Sequence, residues 1–438
     1  VIATNTAWDA MNAAPAKRPI YAMALSGQAT VYTSADLAAL GITGVLPDYR
    51  PWLKVPQGAA QSIDVVNGTS TIGELVCEVV DQGGALRTLI GTTVLEGATL
   101  TLSVGWPGIA WSEFVTVQTY QLYKVTPANG YTSWLFTSRD PQIIAKKTVS
   151  HHPENGALLS QDNPWYLGGT ALEIVQAVLL FGLGLPAAAI DRDGMAALDS
   201  TAEGIYSAAR PYLFAMADSF GAKQFLETEI YKSAGLYPVI TESGKLSVRC
   251  FRPPAAGVAP VYAFTGDNTI GLPEIDRMPV INEAIVRFDY DGSAYQKEMY
   301  FLESDSLGTY GRTTQWVLES QGIRTELGGE WYAGWVADRI FRRFAGIALK
   351  GGAPTAKVEA FLGSAPVWAG DTVTLTHPKM PNLMTGDLGV AGRVYEVIAR
   401  EPDYANGKMA YTLLDTGLTG TAAGGTWGSM VIGSGRWY

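Results

Sequence analysis

Three histidines, two cysteines and one acidic turn are the residues whose types could carry chemistry in this chain. His151 and His152 are neighbours, so a helix cannot point both at one metal, and no Cys, Asp or Glu at ligand spacing completes a site. They read as a polar turn before Pro153, and His377, beside Pro378, reads as a loop residue after a strand. Cys77 alternates with Leu75 and Val79, and Cys250 lies between Val248-Arg249 and Phe251. Neither belongs to a Cys-x-x-Cys pair, so both are expected as small apolar core residues, without a disulfide between them. Asp191-Arg192-Asp193-Gly194 opens like a calcium loop but lacks the third acidic ligand and the later bidentate Glu. Asn67-Gly68-Thr69 matches a glycosylation sequon, and a strand-end turn is the better reading.

Nucleophile elbows, Ser-x-x-Lys sets, Walker loops and dinucleotide loops are absent from the sequence; Gly182-Leu183-Gly184 ends a helix and does not begin one after a strand. A glycosidase-type carboxylate pair would come together only in the fold, so its absence or presence is not legible here. No catalytic residue, metal or cofactor is expected, and the chain is not read as an enzyme.

The elements that would position any site are mostly strands. The chain has 438 residues, too many for one ordinary core, with 47% hydrophobic and only 16% charged residues, which excludes a disordered polymer. With 31 basic against 41 acidic residues, the net charge is −10. A protein that grips phosphates needs the opposite sign, whereas an acidic channel lining would let DNA slide past. The longest apolar run, from Ala177 to Pro186, is too short to span a bilayer, and Val1 to Trp8 lack the basic start and apolar core of a secretory signal. No stable membrane insertion is expected, and synthesis in a cytoplasm is.

Period-2 alternation of Ala98, Leu100, Leu102 and Val104 with Thr99, Thr101 and Ser103 gives one buried and one polar face. Strands are predicted near 21–33, 60–66, 72–80, 98–104, 113–124 and 131–137, with a turn at Pro127-Ala-Asn-Gly130. Thr170-Ala-Leu-Glu173 fits a capping box, and Phe225, Leu226, Ile230, Tyr231 and Ala234 form a helical stripe. A hairpin follows over 236–251, then strands at 284–290, 295–302, 356–362, 371–376, 392–400 and 408–415, with a helix at 328–345. The fold class is therefore mostly β with an α+β insert. Its expected parts are an N-terminal arm (1–20), a first antiparallel β-barrel or sandwich (21–149), an α+β region (150–255), a second β-barrel with one helix (256–416) and a Gly-rich arm (417–438).

Three stretches resemble one family. They are Ala24-Leu-Ser-Gly-Gln-Ala-Thr-Val-Tyr-Thr-Ser-Ala-Asp36, the segment from Glu229 to Val248 with its Gly244-Lys245-Leu246 hairpin, and Leu362 to Thr376 with the turn Gly370-Asp371. Their order and spacing over 20–416 resemble the baseplate hub, or tail-tip hub, proteins of tailed bacteriophages. The resemblance implies two tail-tube-like β-domains per chain and a homotrimer whose six domains form a pseudo-sixfold ring. Such a ring would dock on the tail tube or a distal tail protein ring, carry a central fibre or spike, and pass DNA through its lumen. It would belong to the virion, at the tail tip. The residues proposed for its interfaces are Trp106, Trp111, Phe114, Tyr120 and Tyr123 in the first β-domain and Trp331, Trp335 and Trp368 in the second, against the plainer alternative of core packing. Two other readings are a receptor- or glycan-binding tail-tip protein and a tail-associated cell-wall hydrolase.

Overall fold

The computed structural model describes residues 5, 6, 8, 18–201, 209–241, 244–250, 260–346, 351–383 and 386–419. Most of the expected N-terminal arm, and the Gly-rich arm beyond Thr419 with Trp427 and Trp437, lie outside the described residues.

The predicted alternation builds a seven-stranded sheet. In spatial order its strands are Tyr49–Arg50, Val31–Thr33, Ile20–Leu25, Thr99–Gly105, Val115–Ala128, Ser133–Arg139 and Glu74–Val80. All neighbours are antiparallel except the first pair. Leu25, Met23 and Tyr21 stand opposite Leu100, Leu102 and Val104, so the apolar positions of both strands share one buried face. The turn after Ala128 places Asn129, Gly130 and Tyr131 in succession at positive φ, 48°, 64° and 69°. Residues 52–57 then reach from one edge of the sheet to the other. Leu53 N–H donates to Thr33 O at 3.0 Å, while Lys54 and Gln57 N–H donate to Glu78 O and Val76 O at 2.8 and 2.9 Å.

A second sheet runs Tyr262–Thr265, Thr372–Pro381, Leu388–Asp403, Lys408–Thr419, Pro354–Phe361 and Thr269–Arg277, with Gln61–Asp64 added against Leu388–Asp403. Its two outermost strands are consecutive in the chain. The turn between them is tied by Asn268, whose side chain accepts from Thr265 N and donates to Ala263 O, both at 2.7 Å. The strand ends of the two edges therefore lie close together.

The α+β part contains a three-stranded sheet (Tyr295–Leu302, Glu283–Tyr290, Gln315–Glu319) and the hairpin Leu236–Ile240 with Leu246–Cys250. The capping box forms as read: Thr170 Oγ1 accepts from Glu173 N, and the Glu173 carboxylate accepts from Thr170 N. The second predicted helix runs from Ala222 to Ala234 and stops at Gly235, whose φ of 67° closes its C-terminus.

The long helix, Gly329–Phe344, buries the predicted stripe Tyr332, Val336, Ile340 and Phe344, but not in the second β-domain. It packs over Ala284, Val286 and Phe288, in the core shared with Leu172, Leu226 and Tyr237. By packing, the strand Glu283–Tyr290 and the long helix thus fall in the α+β core. A second large core joins both β sheets, from Tyr21 and Leu100 to Phe264 and Tyr411.

Candidate functional site

The side chains that could do chemistry are dispersed. His151 is exposed, whereas His377 lies within the strand Thr372–Pro381 and is buried, correcting the loop reading. Its Nδ1 accepts from Lys379 N at 3.2 Å. Cys77 and Cys250 are both buried, and burial pushes the Cys77 thiol up to about 12. Asp191 heads the helix Arg192–Thr201: its carboxylate accepts from Gly194 N at 3.1 Å and Ser247 Oγ at 3.0 Å, so its oxygens serve the fold. Asn67-Gly68-Thr69 is the turn between Gln61–Asp64 and Thr69–Ser70. Among the described residues, no three His, Cys, Asp or Glu side chains gather as a metal site, and no helix is long and apolar enough to cross a membrane.

Two seams carry the buried polar chemistry instead. One joins the α+β part to the second sheet. Tyr237 donates its hydroxyl to Glu396 at 2.8 Å, and Arg249 donates to Asp371 at 2.8 Å. The other oxygen of Asp371 accepts from Trp368 N at 2.8 Å. Arg393 donates to Asp415 at 2.5 Å, and Arg343 reaches the same region from the long helix. Burial outweighs these cations at Glu396 and pushes its carboxyl up to about 7, with Arg343, Tyr237 and Arg249 pulling the other way.

The second seam joins the two β sheets. Arg400, with no exposed surface, stands opposite Gln61 in the register. Its guanidinium lies over the Trp368 ring at 4.9 Å and donates to Ala365 O at 3.1 Å. Gln61 in turn donates to the Tyr120 hydroxyl at 3.0 Å. Near this seam lies Asp140, which burial pushes up to about 7 against the Gln142 N–H and the Lys223 ammonium.

The proposed interface residues divide by exposure. Trp106, Tyr120 and Trp368 are buried within the chain: Trp106 against Trp8, Tyr120 on Gln61, Trp368 under Arg400. They have no face left for a sister copy, and core packing is their role. Trp111 and Phe114 are half-buried and meet at 4.6 Å between ring centres. Trp335 is half-buried, stacked on Tyr332. Tyr123 and Trp331 remain open, 49% and 45% exposed, although Arg139 covers one side of the Tyr123 ring at 3.9 Å. Trp331 and Trp335 sit on the long helix of the α+β part and not in the second β-domain.

The sequence reading missed the buried charges. A signal was present: Arg393, Glu396 and Arg400 interrupt the apolar stretch of a strand in a chain poor in charge. It missed Tyr300 too, 54% exposed on the edge strand Tyr295–Leu302. That strand shows open positions on both faces, which blurs the two-residue period.

No family model and no curated protein matches this sequence. Among solved structures, the tail protein from Neisseria meningitidis MC58 is 12% identical with a TM-score of 0.48, over 93% of this chain and 99% of that one. The 43 kDa tail protein of prophage MuSo2 from Shewanella oneidensis is 11% identical with a TM-score of 0.47, over 91% and 99%. The prophage tail protein gp18 from Listeria monocytogenes EGD-e is 9% identical with a TM-score of 0.43, over 91% and 94%. Each of these likenesses to a solved tail protein covers about nine-tenths of this chain.

Proposed function

We propose that this chain is a structural hub of a phage tail tip, three copies of which form a ring of six β-barrels that joins the tail tube to a central fibre or spike. The observation that carries the reading is the pairing of two comparable β units in one chain. The first has both sheet edges bridged by residues 52–57, and the second has its edge strands joined by the short Asn268 turn. Each arrangement supports closure into a barrel, which leaves no open edge. Arg400↔Gln61 pairing and the shared core hold the two units side by side. Threefold repetition of such a pair presents sixfold contacts to one partner and threefold contacts to another. The hub role is that of scaffold and not of enzyme. Its lumen, in a chain of net charge −10, would repel DNA phosphates and let the polymer pass.

Light scattering of the purified chain, followed by negative-stain imaging, tests the proposal. The expected result is a particle of three times 46.8 kDa, about 140 kDa, with six lobes around an opening. A species that stays monomeric at high micromolar concentration and in the presence of tail-tube rings would refute it.

A further inference from the structure

All three parts of the chain meet around one small cavity. Asp140 and Gln142 reach it from the end of the first sheet, Gln61 and Trp368 from the second, and residues 238–240 from the α+β hairpin. Ser62, Ile63, Ser70, Thr71 and Ala369 complete the lining, which is polar and apolar in mixture. The space holds about one water molecule, too little for a side chain or a small organic ligand.

The hydrogen bonds around this space are incomplete in a specific way. Gln61 and Trp368 are each 8% exposed. Gln61 Nε2 donates to the Tyr120 hydroxyl, yet Gln61 Oε1 is buried with no donor among the described residues. Trp368 Nε1 is likewise buried with no acceptor among them. Asp140, 1% exposed, accepts from Gln142 N on Oδ1 at 2.9 Å, whereas Oδ2 meets only Gln142 Nε2, at 3.5 Å, the outer limit of a hydrogen bond. The remaining hydroxyls are already engaged: Ser70 Oγ donates to Gln142 Oε1 at 2.6 Å, and Ser62 Oγ to Thr71 Oγ1 at 3.2 Å. A buried acceptor and a buried donor left unmatched are costly.

The mixture of groups selects the occupant. A cation would be repelled by the indole N–H, and an anion by the amide oxygen and the Asp140 carboxyl. A neutral molecule that both donates and accepts satisfies all three, and only water is small enough. We infer that this cavity binds one water molecule, which accepts from Trp368 Nε1, donates to Gln61 Oε1 and bonds the Asp140 carboxyl at Oδ2. The water then ties the end of the first sheet to the second beneath the α+β hairpin, supplying polar contacts that the side chains do not make directly. The inference does not depend on the hub reading.

A crystal structure of the full chain, refined with ordered solvent, tests it. An oxygen should lie within about 3.2 Å of both Gln61 Oε1 and Trp368 Nε1. Empty density at that point, or a Gln61 side chain turned to pair Trp368 directly, overturns the inference. In solution, magnetic relaxation dispersion of the water signal counts the molecules that stay bound while the protein tumbles. Ala369→Val and Val239→Leu each add carbon to the lining, and each should lower that count by one molecule. Far-ultraviolet circular dichroism identifies which of the two variants keeps the fold. A folded variant whose count equals the parent's overturns the inference.

Discussion

The hydroxyl of Tyr21 donates to the main-chain carbonyl of Tyr404 at 2.8 Å, and their rings lie 5.4 Å apart where the two β sheets meet. Both residues are 2% exposed, so this contact couples the start of the chain to a turn late in the second sheet. Tyr21→Phe keeps the ring and loses the hydrogen bond, and should cost about 1 kcal/mol. Tyr21→Ala also opens a void and should cost about 3–5 kcal/mol. Because one core spans both sheets, urea unfolding of either variant should stay a single transition; a split into two would show that the sheets are independent.

Arg400 is a fully buried cation whose neighbours are aromatic rings and main-chain oxygen. Its desolvation is offset only in part by Trp368 and Ala365 O, and Nε and Nη1 have no acceptor among the described residues. Arg400→Met removes the buried charge and fills much of the volume. Arg400→Ala removes the charge and leaves a cavity. Arg400→Met should therefore fall within about 1 kcal/mol of the parent, and Arg400→Ala should lose about 3 kcal/mol. Equal losses in denaturant titrations would mean that the charge itself holds the seam.

Asp140 gives the fold a pH dependence of definite sign. Its carboxyl is pushed from 3.8 to about 7 by burial, while the Gln142 N–H and Lys223 oppose that rise. The folded chain then holds this proton more tightly than the unfolded one, so its contribution to stability is full below pH 4 and is lost as pH rises toward and through 7. Asp140→Asn keeps an oxygen that can accept from Gln142 N and cannot ionise. The variant should match the parent near pH 4 and exceed it by more than about 1 kcal/mol at pH 8. Glu396, pushed up to about 7 by its own burial, leaves a residual slope of the same sign in the variant. Parallel stability curves from pH 4 to 8 would rule out an uncompensated Asp140.

The strands were legible because their faces differ. Leu100, Leu102 and Val104 alternate with threonine and serine, and local pattern alone locates Thr99–Gly105. The helix Gly329–Phe344 was legible from its stripe, yet its location was not: periodicity names a buried face without naming what covers it. That cover is Glu283–Tyr290, which the sequence reading had grouped with the second β-domain. The short elements Ala85–Thr92 and Ser304–Tyr310 span only about two turns each, too little to show a period. The buried seams were the least legible. Arg400 meets Gln61 across more than three hundred positions of sequence, and pairing at that distance depends on topology.

Exposure separates the aromatic residues that hold the chain together from those free to hold copies together. Trp106 is 6% exposed and packs on Trp8, so Trp106→Ala should cost about 3–5 kcal/mol of folding stability. Trp331 is 45% exposed on the long helix, and its loss should change folding by no more than about 0.5 kcal/mol. If its ring anchors a contact between copies, Trp331→Ala should weaken association by about 30-fold or more, the scale of an interface hot spot of about 2 kcal/mol. Sedimentation equilibrium beside urea unfolding reads both quantities on the same variants. A Trp331→Ala chain that assembles at parental concentrations would place the copy-to-copy contact elsewhere, with the other exposed rings, among them Tyr131, Tyr166, Phe181, Phe361, Tyr300 and Tyr123, the next to test.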